Sequence, residues 1–101
     1  VALLPGMVQS NEPAIYIEGE YGIRTENVLE VVPFTENEFG TFYRFETLTL
    51  VPIATSCIDR KQLGDECAEW LNNYHRRVYE KIAPHLKDEE AIWLKNKCCP
   101  I

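Results

Sequence analysis

The pattern of hydrophobic and polar residues changes character about halfway along the chain. In the first half apolar and polar residues alternate, most clearly from Ile23 to Val32, and this alternation predicts a β-strand. A second strand is predicted from Phe42 to Ile53, ending near Pro52, with a loop from Pro33 to Thr41. Because only this loop separates the two strands, the simplest pairing is an antiparallel hairpin.

After Ile53 the pattern indicates helices. Asp59 with Gln62 is typical of a capping box, and Gly64 with Asp65 predicts that a longer helix restarts there. Pro84 closes or kinks that helix, and a last short helix is predicted from Asp88 to Lys95. The longer helix is amphipathic, since apolar side chains recur three and four residues apart at Cys67, Leu71, Tyr74, Val78 and Ile82.

Two glutamates lie at equal distances from Gly19. A turn centred on Gly19 would place Glu12 and Glu26 opposite each other on adjacent strands, with Cβ atoms about 4.5–5.5 Å apart. Pro13 favours an extended Glu12 and interrupts the strand ladder beside it. Two divalent cations shared by both carboxylates would turn their repulsion into a binding site. On spacing alone, the alternative of an acidic, solvated hairpin is favoured.

Alternation along the predicted strand places Arg24 on the same face as Glu26. There its guanidinium could stabilise a nearby carboxylate or bind a substrate carboxylate. On the residues alone, a surface Arg–Glu pair of little energetic value is the better interpretation.

Composition and charge exclude several classes of partner. Ten Lys and Arg against sixteen Asp and Glu give a net charge of -6 without a sustained basic run, so nucleic acid is not expected to bind. No apolar run is long enough to span a membrane and no signal peptide is evident, so a cytoplasmic location is expected. The four cysteines are expected to be reduced. A zinc site matches no known ligand spacing for the available side chains, Cys98, Cys99, His75 and His85.

Several motifs together resemble the last part of a pita-bread metallopeptidase, the fold of methionine aminopeptidases, prolidases and Xaa-Pro aminopeptidases. The later motifs T-L-T-L-V-P-I and W-L-N-N-Y-H are similar to the tail of the cytosolic, three-domain Xaa-Pro aminopeptidases. The motifs span Pro5 to Val8, Ser10 to Pro13, Tyr21 to Asn27, Thr47 to Ile53 and Trp70 to His75.

The resemblance implies an α+β fold, with antiparallel strands of the catalytic domain over 1–53 and a helical extension over 54–101. It also implies that Glu12, of an E-P motif, and Glu26, of an R-x-E motif, are two of five ligands to two divalent metal ions, which the family resemblance suggests are Mn²⁺. Glu12 would also shuttle protons, and Arg24 and Tyr16 would orient the ligands. The family's other ligands lie upstream, so the chain is expected to be a C-terminal fragment that is inactive alone.

The implied activity of the parent protein is release of an N-terminal residue that precedes proline, from peptides with proline at the second position. A metal-bridging hydroxide would attack the scissile carbonyl. The resemblance further implies a homodimer joined through the helical extension. Three positions depart from the family pattern without touching the ligands, namely Ala14, Thr25 and Thr47. The alternatives are a non-catalytic protein-interaction module and an unrelated acidic α+β domain.

Overall fold

A computed structural model describes all residues from Val1 to Ile101. The chain divides into two compact units, one of residues 1–49 and one of residues 50–101, and each is described by itself. The first unit contains only strands and the second only helices and extended segments, so the predicted α+β class, with antiparallel strands followed by a helical tail, is confirmed. None of the helices combines the length and the apolar character that crossing a membrane requires.

The first unit is built from five antiparallel strands in two sheets. A three-stranded sheet has the order β1-β4-β5, and a two-stranded sheet pairs β2 with β3. Their bounds are β1 Val8–Asn11, β2 Ala14–Ile17, β3 Tyr21–Arg24, β4 Asn27–Asn37 and β5 Gly40–Thr47.

One register runs through both sheets. In the small sheet Ala14 lies opposite Arg24, and in the larger sheet Asn11 lies opposite Asn27. In each pair the two residues are the same number of positions before and after Gly19 in the sequence. Gly19 occupies the turn between β2 and β3 at φ 73°. Glycine adopts this left-handed conformation without the steric cost that a side chain incurs. The hairpin centred on Gly19 therefore continues from β2 and β3 into β1 and β4.

The structure corrects the strand bounds predicted from the sequence. The strand predicted from Ile23 to Val32 is divided, because residues 25 and 26 leave the ladder between β3 and β4. The strand predicted to reach Ile53 ends at Thr47. Beyond it the chain still follows β4, since Leu48 N–H donates to the Val28 carbonyl and Thr49 Oγ1 accepts from Val28 N–H at 2.8 Å.

The prediction of a loop from Pro33 to Thr41 is also wrong, because β4 continues through Pro33 to Asn37. Proline is tolerated there since β1 pairs with β4 only as far as Glu30, leaving one edge of β4 without a strand partner at Pro33. Phe34 is the extra residue of a β-bulge between Pro33 and Thr35. Its ring lies 5.8 Å from the guanidinium carbon of Arg44.

The second unit has two helices joined by a short 3₁₀ helix that contains Pro84. Asp59 caps the first helix by accepting from the N–H groups of Lys61 and Gln62, as the sequence predicted for this helix start. Gly64, at φ 77° and ψ 167°, breaks the helix after its first turn, so the predicted restart is confirmed. The bounds are α1 Arg60–Ile82, the 3₁₀ helix Ala83–His85 and α2 Asp88–Lys97.

The hydrophobic core of the second unit lies between α1 and α2. It is formed by Leu71, Tyr74, Val78 and Leu94, with partly buried residues of the extended segment packed against it. The predicted apolar stripe is confirmed at Leu71, Tyr74 and Val78 but is wrong at Cys67, which is exposed. Ala68 and His75 are buried instead. Burial of the polar His75 is tolerated because its Nε2 accepts a hydrogen bond from Ile53 N–H.

Two side chains of α1 hold the extended segment that precedes it. The Tyr74 hydroxyl donates to the Val51 carbonyl at 2.7 Å, and burial raises the pKa of this phenol, which keeps it a donor. Ile53 N–H donates to His75 Nε2 at 3.0 Å. His75 is fully buried and its Nδ1 has no hydrogen-bond partner.

Burial lowers the pKa of His75, and the bond from Ile53 exists only while Nε2 keeps its lone pair. The unfolded chain therefore binds a proton more readily, so stability should fall as the pH drops below the unfolded value of about 6.5. The loss should approach about 1.4 kcal/mol per pH unit until the lowered pKa is reached. We expect His75→Gln, which can still accept from Ile53, to weaken this dependence.

Urea unfolding at pH 7.5 and 5.5 measures the effect. His85 is exposed, so His85→Gln is the matched control and should keep the wild-type pH dependence. Equal pH dependence in the His75→Gln and wild-type chains would contradict this assignment.

Candidate metal centre

Glu12 and Glu26 lie where the ladder between β1 and β4 gives way to the ladder between β2 and β3. Thr25 N–H donates to the Pro13 carbonyl at 3.2 Å, so the two antiparallel segments of the chain stay paired across this gap. Continuing the register one step past that bond places Glu12 opposite Glu26. Directly opposed residues of an antiparallel pair point to the same face. The two carboxylates therefore share one face of the hairpin, as their spacing about Gly19 predicted.

The guanidinium of Arg24 lies within reach of both carboxylates. Its Nε is 3.4 Å from Glu26 Oε2 and 4.0 Å from Glu12 Oε2. The carboxylates thus converge on one positive group, which offsets their mutual repulsion. The side chains of all three residues are between 41% and 50% exposed, so these ion pairs contribute little to stability.

Tyr16 is the third side chain that contacts the Arg24 guanidinium, beside Glu12 and Glu26. Arg24 Nη1 donates to the Tyr16 hydroxyl at 3.4 Å. The pKa of Arg24 is raised, chiefly by this hydrogen bond to Tyr16 and further by the negative charges of Glu26 and Glu12. Arg24 is therefore a permanent cation, and Tyr16 fixes one end of it.

Sequence reasoning missed two residues at this site. Ser10 Oγ donates to Glu12 Oε1 at 2.7 Å, and this bond leaves Oε2 directed towards Arg24. Gly22 lies opposite Tyr16, whose ring would be only 2.7 Å from a Cβ atom at that position. The sequence pattern could have indicated both residues. Ser10 is two positions from Glu12, and Gly22 is opposite Tyr16 on the neighbouring strand, and residues so placed share a face of the sheet.

The opposite face of the small sheet is apolar. Its side chains are all exposed, with Ile15 at 63% and Ile23 at 57%. The face opposite Arg24 in the small sheet thus carries no charged side chain and consists of Ile15, Ile17, Tyr21 and Ile23.

The chemistry of the two glutamates fits a hard divalent cation. Carboxylate oxygens are the ligands that Mn²⁺ and Mg²⁺ prefer, and two of them converge at Arg24. No group of three or more His, Cys, Asp or Glu side chains in the chain is arranged to hold a metal ion. Two carboxylates alone do not make a complete metal centre, so a metal ion held here would need further ligands from elsewhere.

Residues 41–101 match the family described as the C-terminal region of peptidase M24. Two relatives align with nearly the whole chain. "Probable Xaa-Pro aminopeptidase P" of Coprinopsis cinerea is 42% identical over 105 residues, covering 99% of this chain and 17% of the relative. "Protein pid-5" of Caenorhabditis elegans is 43% identical over 101 residues, covering 95% of this chain and 10% of the relative.

A solved structure has the same fold. The crystal structure of X-prolyl aminopeptidase from Caenorhabditis elegans matches with a TM-score of 0.87 and 40% identity, over 98% of this chain and 17% of that chain. That protein is described as a cytosolic enzyme with a di-nuclear active site. The chain thus spans between 10% and 17% of the length of these relatives.

Gly22→Ala should move the Tyr16 ring, because the added Cβ would lie 2.7 Å from Tyr16 Cδ1. We expect the contact between Tyr16 and Arg24 to be lost while the strand pairing persists. Nuclear Overhauser contacts between the Tyr16 ring and the Arg24 side chain report it. Glu20→Ala, in the exposed turn, is the control and should leave them unchanged. Unaltered contacts in Gly22→Ala would mean that Gly22 does not set the ring position.

Proposed function

The chain belongs to the family described as the C-terminal region of peptidase M24, and we propose that it supplies part of the dinuclear metal centre of an Xaa-Pro aminopeptidase. The fold prediction is confirmed, since the strands followed by helices match the C-terminal part of a pita-bread aminopeptidase. The proposed substrates are peptides with proline at the second position. They are suggested by the names of the relatives, which are much longer than this chain.

The observation that supports the proposal most directly is the convergence of Glu12 and Glu26. These residues occupy the E-P and R-x-E positions, face each other across one hairpin and approach the same guanidinium. Arg24 already offsets the repulsion between the two carboxylates, so a ligand role is favoured over a surface ion cluster by the motif positions that both glutamates occupy.

Glu12 and Glu26 would hold two divalent ions, which we propose are Mn²⁺. When bound, such ions make hydroxide available near neutral pH and stabilise negative charge on the carbonyl oxygen of the substrate. Glu12 would take a proton at its carboxylate and return it to the departing amine. Arg24 and Tyr16 would orient the two glutamates, and Ser10 would hold Glu12 Oε1 so that Oε2 faces Arg24.

Two carboxylates are too few for this chemistry. With no third ligand grouped beside them, these residues would bind Mn²⁺ weakly and could not fix a nucleophile. The proposed activity therefore belongs to a longer protein that brings the remaining ligands, and the 101-residue chain alone is expected to be inactive. A cytosolic location is proposed from the description of the solved relative.

A second candidate function is a non-catalytic interaction module. It is favoured by "Protein pid-5", a relative of similar identity whose name states no peptidase activity. The two candidates differ in the parent protein, because only a peptidase requires the further Asp and His ligands beside Glu12 and Glu26.

Glu26→Ala in a parent chain that contains the remaining ligands should remove metal and activity together, because one of the two proposed carboxylate ligands is lost. Metal content by mass spectrometry, hydrolysis of an Xaa-Pro peptide and far-UV circular dichroism should show loss of the first two with an unchanged fold. Glu20→Ala changes an exposed glutamate of the same hairpin and should retain both. Full metal content in Glu26→Ala would remove Glu26 from the ligand set.

We also propose that the helical unit joins two copies of the parent protein. Its exposed apolar surface includes Trp70 at 54%, Ile92 at 62% and Trp93 at 58%. Large aromatic side chains dominate interfaces of this kind. Tyr74, which the sequence suggested as a second anchor beside Trp70, is 6% exposed and stacks on Trp70 at 5.6 Å, so it supports Trp70 from within the unit.

Trp70→Ala should shift a dimeric parent towards monomers, because it removes an exposed ring without opening the core. Light scattering over a range of protein concentrations measures the change. Phe39→Ala removes a more exposed ring, from the first unit, and should leave the association unchanged. A Trp70→Ala parent that remains dimeric at the lowest concentrations would exclude Trp70 as an anchor.

A further inference from the structure

The first unit contains only two cationic side chains, Arg24 and Arg44, against eight glutamates. Arg24 lies between Glu12 and Glu26, and the remaining ion pair of the chain is formed by Arg60. Arg44 is exposed and has no carboxylate within ion-pair distance, although the unit around it is strongly acidic. Its positive charge is therefore not used by the first unit itself.

An aromatic ring holds Arg44 in place. The guanidinium carbon lies 5.8 Å from the centre of the Phe34 ring, which is 62% exposed. Stacking of this kind covers one face of the guanidinium and leaves the N–H groups, which lie in its plane, able to donate. A planar guanidinium binds a carboxylate through two parallel hydrogen bonds. The pair of Phe34 and Arg44 thus presents an oriented donor for a carboxylate.

Arg44 lies on the face of the larger sheet that continues from the two glutamates. Ser10 bonds Glu12 and lies opposite Val28, and directly opposed residues share a face. Alternation along β4 places Val32 on the same face as Val28, and Arg44 lies opposite Val32. The candidate metal centre and Arg44 therefore face the same side of the first unit.

The spacing along β4 gives the separation of the two sites. Val32, opposite Arg44, lies six positions after Glu26, and Phe34 lies eight positions after it. At about 3.3 Å per residue, these steps span about 20 to 26 Å. An extended peptide covers that distance with about six to eight residues.

The face between the two sites is acidic. Glu30 and Glu46 are directly opposed there, two positions from Val32 and Arg44 respectively. Their charges disfavour acidic groups along the middle of a bound peptide. A carboxylate is therefore favoured only at the end of the face, beside Arg44.

We propose that Phe34 and Arg44 form a subsite for the C-terminal carboxylate of the peptide substrate. This inference rests on the proposed Xaa-Pro aminopeptidase function, and it names the preferred substrates as peptides of about six to eight residues with a free C-terminus. The N-terminal residues would lie at Glu12 and Glu26 while the far carboxylate accepts from Arg44. This contact is the same before and during the reaction, so it lowers KM without changing kcat.

The test uses the parent chain and a series of Ala-Pro peptides extended with alanine, each prepared with a free C-terminal carboxylate and as the amide. We expect the lowest KM for free-carboxylate peptides of about six to eight residues. Arg44→Gln should raise that KM about tenfold at constant kcat and leave the KM of the amides as it was. Arg76→Gln changes an exposed arginine of the second unit and is the matched control, with wild-type KM values for both series.

Phe34→Leu removes the ring and keeps Arg44, so it should raise the same KM by a smaller factor and provides a second variant where Arg44→Gln disturbs the fold. Circular dichroism and metal content verify that each variant is intact. Wild-type KM values in both variants, or an equal rise for carboxylates and amides, would overturn this inference while the peptidase function stands. A wild-type parent that cleaves no Xaa-Pro peptide would overturn the proposed function and this inference with it.

Discussion

The hairpin register centred on Gly19 is the constraint on which the candidate metal centre depends. Side chains alternate between the two faces of a strand, so a slip of one residue would turn every side chain to the opposite face. In the observed register Glu12, Tyr16, Arg24 and Glu26 share one face, and the apolar residues of the small sheet share the other. The turn therefore determines which groups meet, although no residue of the turn contacts them.

The second unit depends on one helix that recognises the backbone of two extended segments. Tyr74 and His75 of α1 bond the main chain at Val51 and Ile53. Earlier in the same helix, the Asn72 side chain accepts from Ile101 N–H at 3.0 Å and donates to the Ile101 carbonyl at 3.5 Å. Buried and half-buried side chains of α1 here replace the strand partners that these segments lack. These hydrogen bonds account for the polar residues Asn72, Tyr74 and His75 of the W-L-N-N-Y-H motif, which apolar packing alone does not explain.

Local signals predicted a large part of this arrangement. The spacing of Glu12 and Glu26 about Gly19 gave their facing positions, and Asp59 with Gly64 gave the start and the break of α1, because each depends on nearby residues. The extent of β4 past Pro33 was not predictable in the same way. Whether a proline is tolerated depends on which edge of the sheet is free, and that is decided by where β1 ends. Burial of His75 likewise depends on a distant backbone group, at Ile53.

The bulge at Phe34 separates two parts of the long β4–β5 ribbon. From Leu29 to Pro33, before the bulge, β4 lies in the part of the sheet that also pairs with β1. From Thr35 onwards the ribbon follows a shifted register as far as its tip at Asn37 and Gly40. Residues added or removed at the tip change only the pairing beyond the bulge. Evolution can therefore vary the length and aromatic character of this tip, with its exposed Phe39, while Glu12 and Glu26 remain face to face.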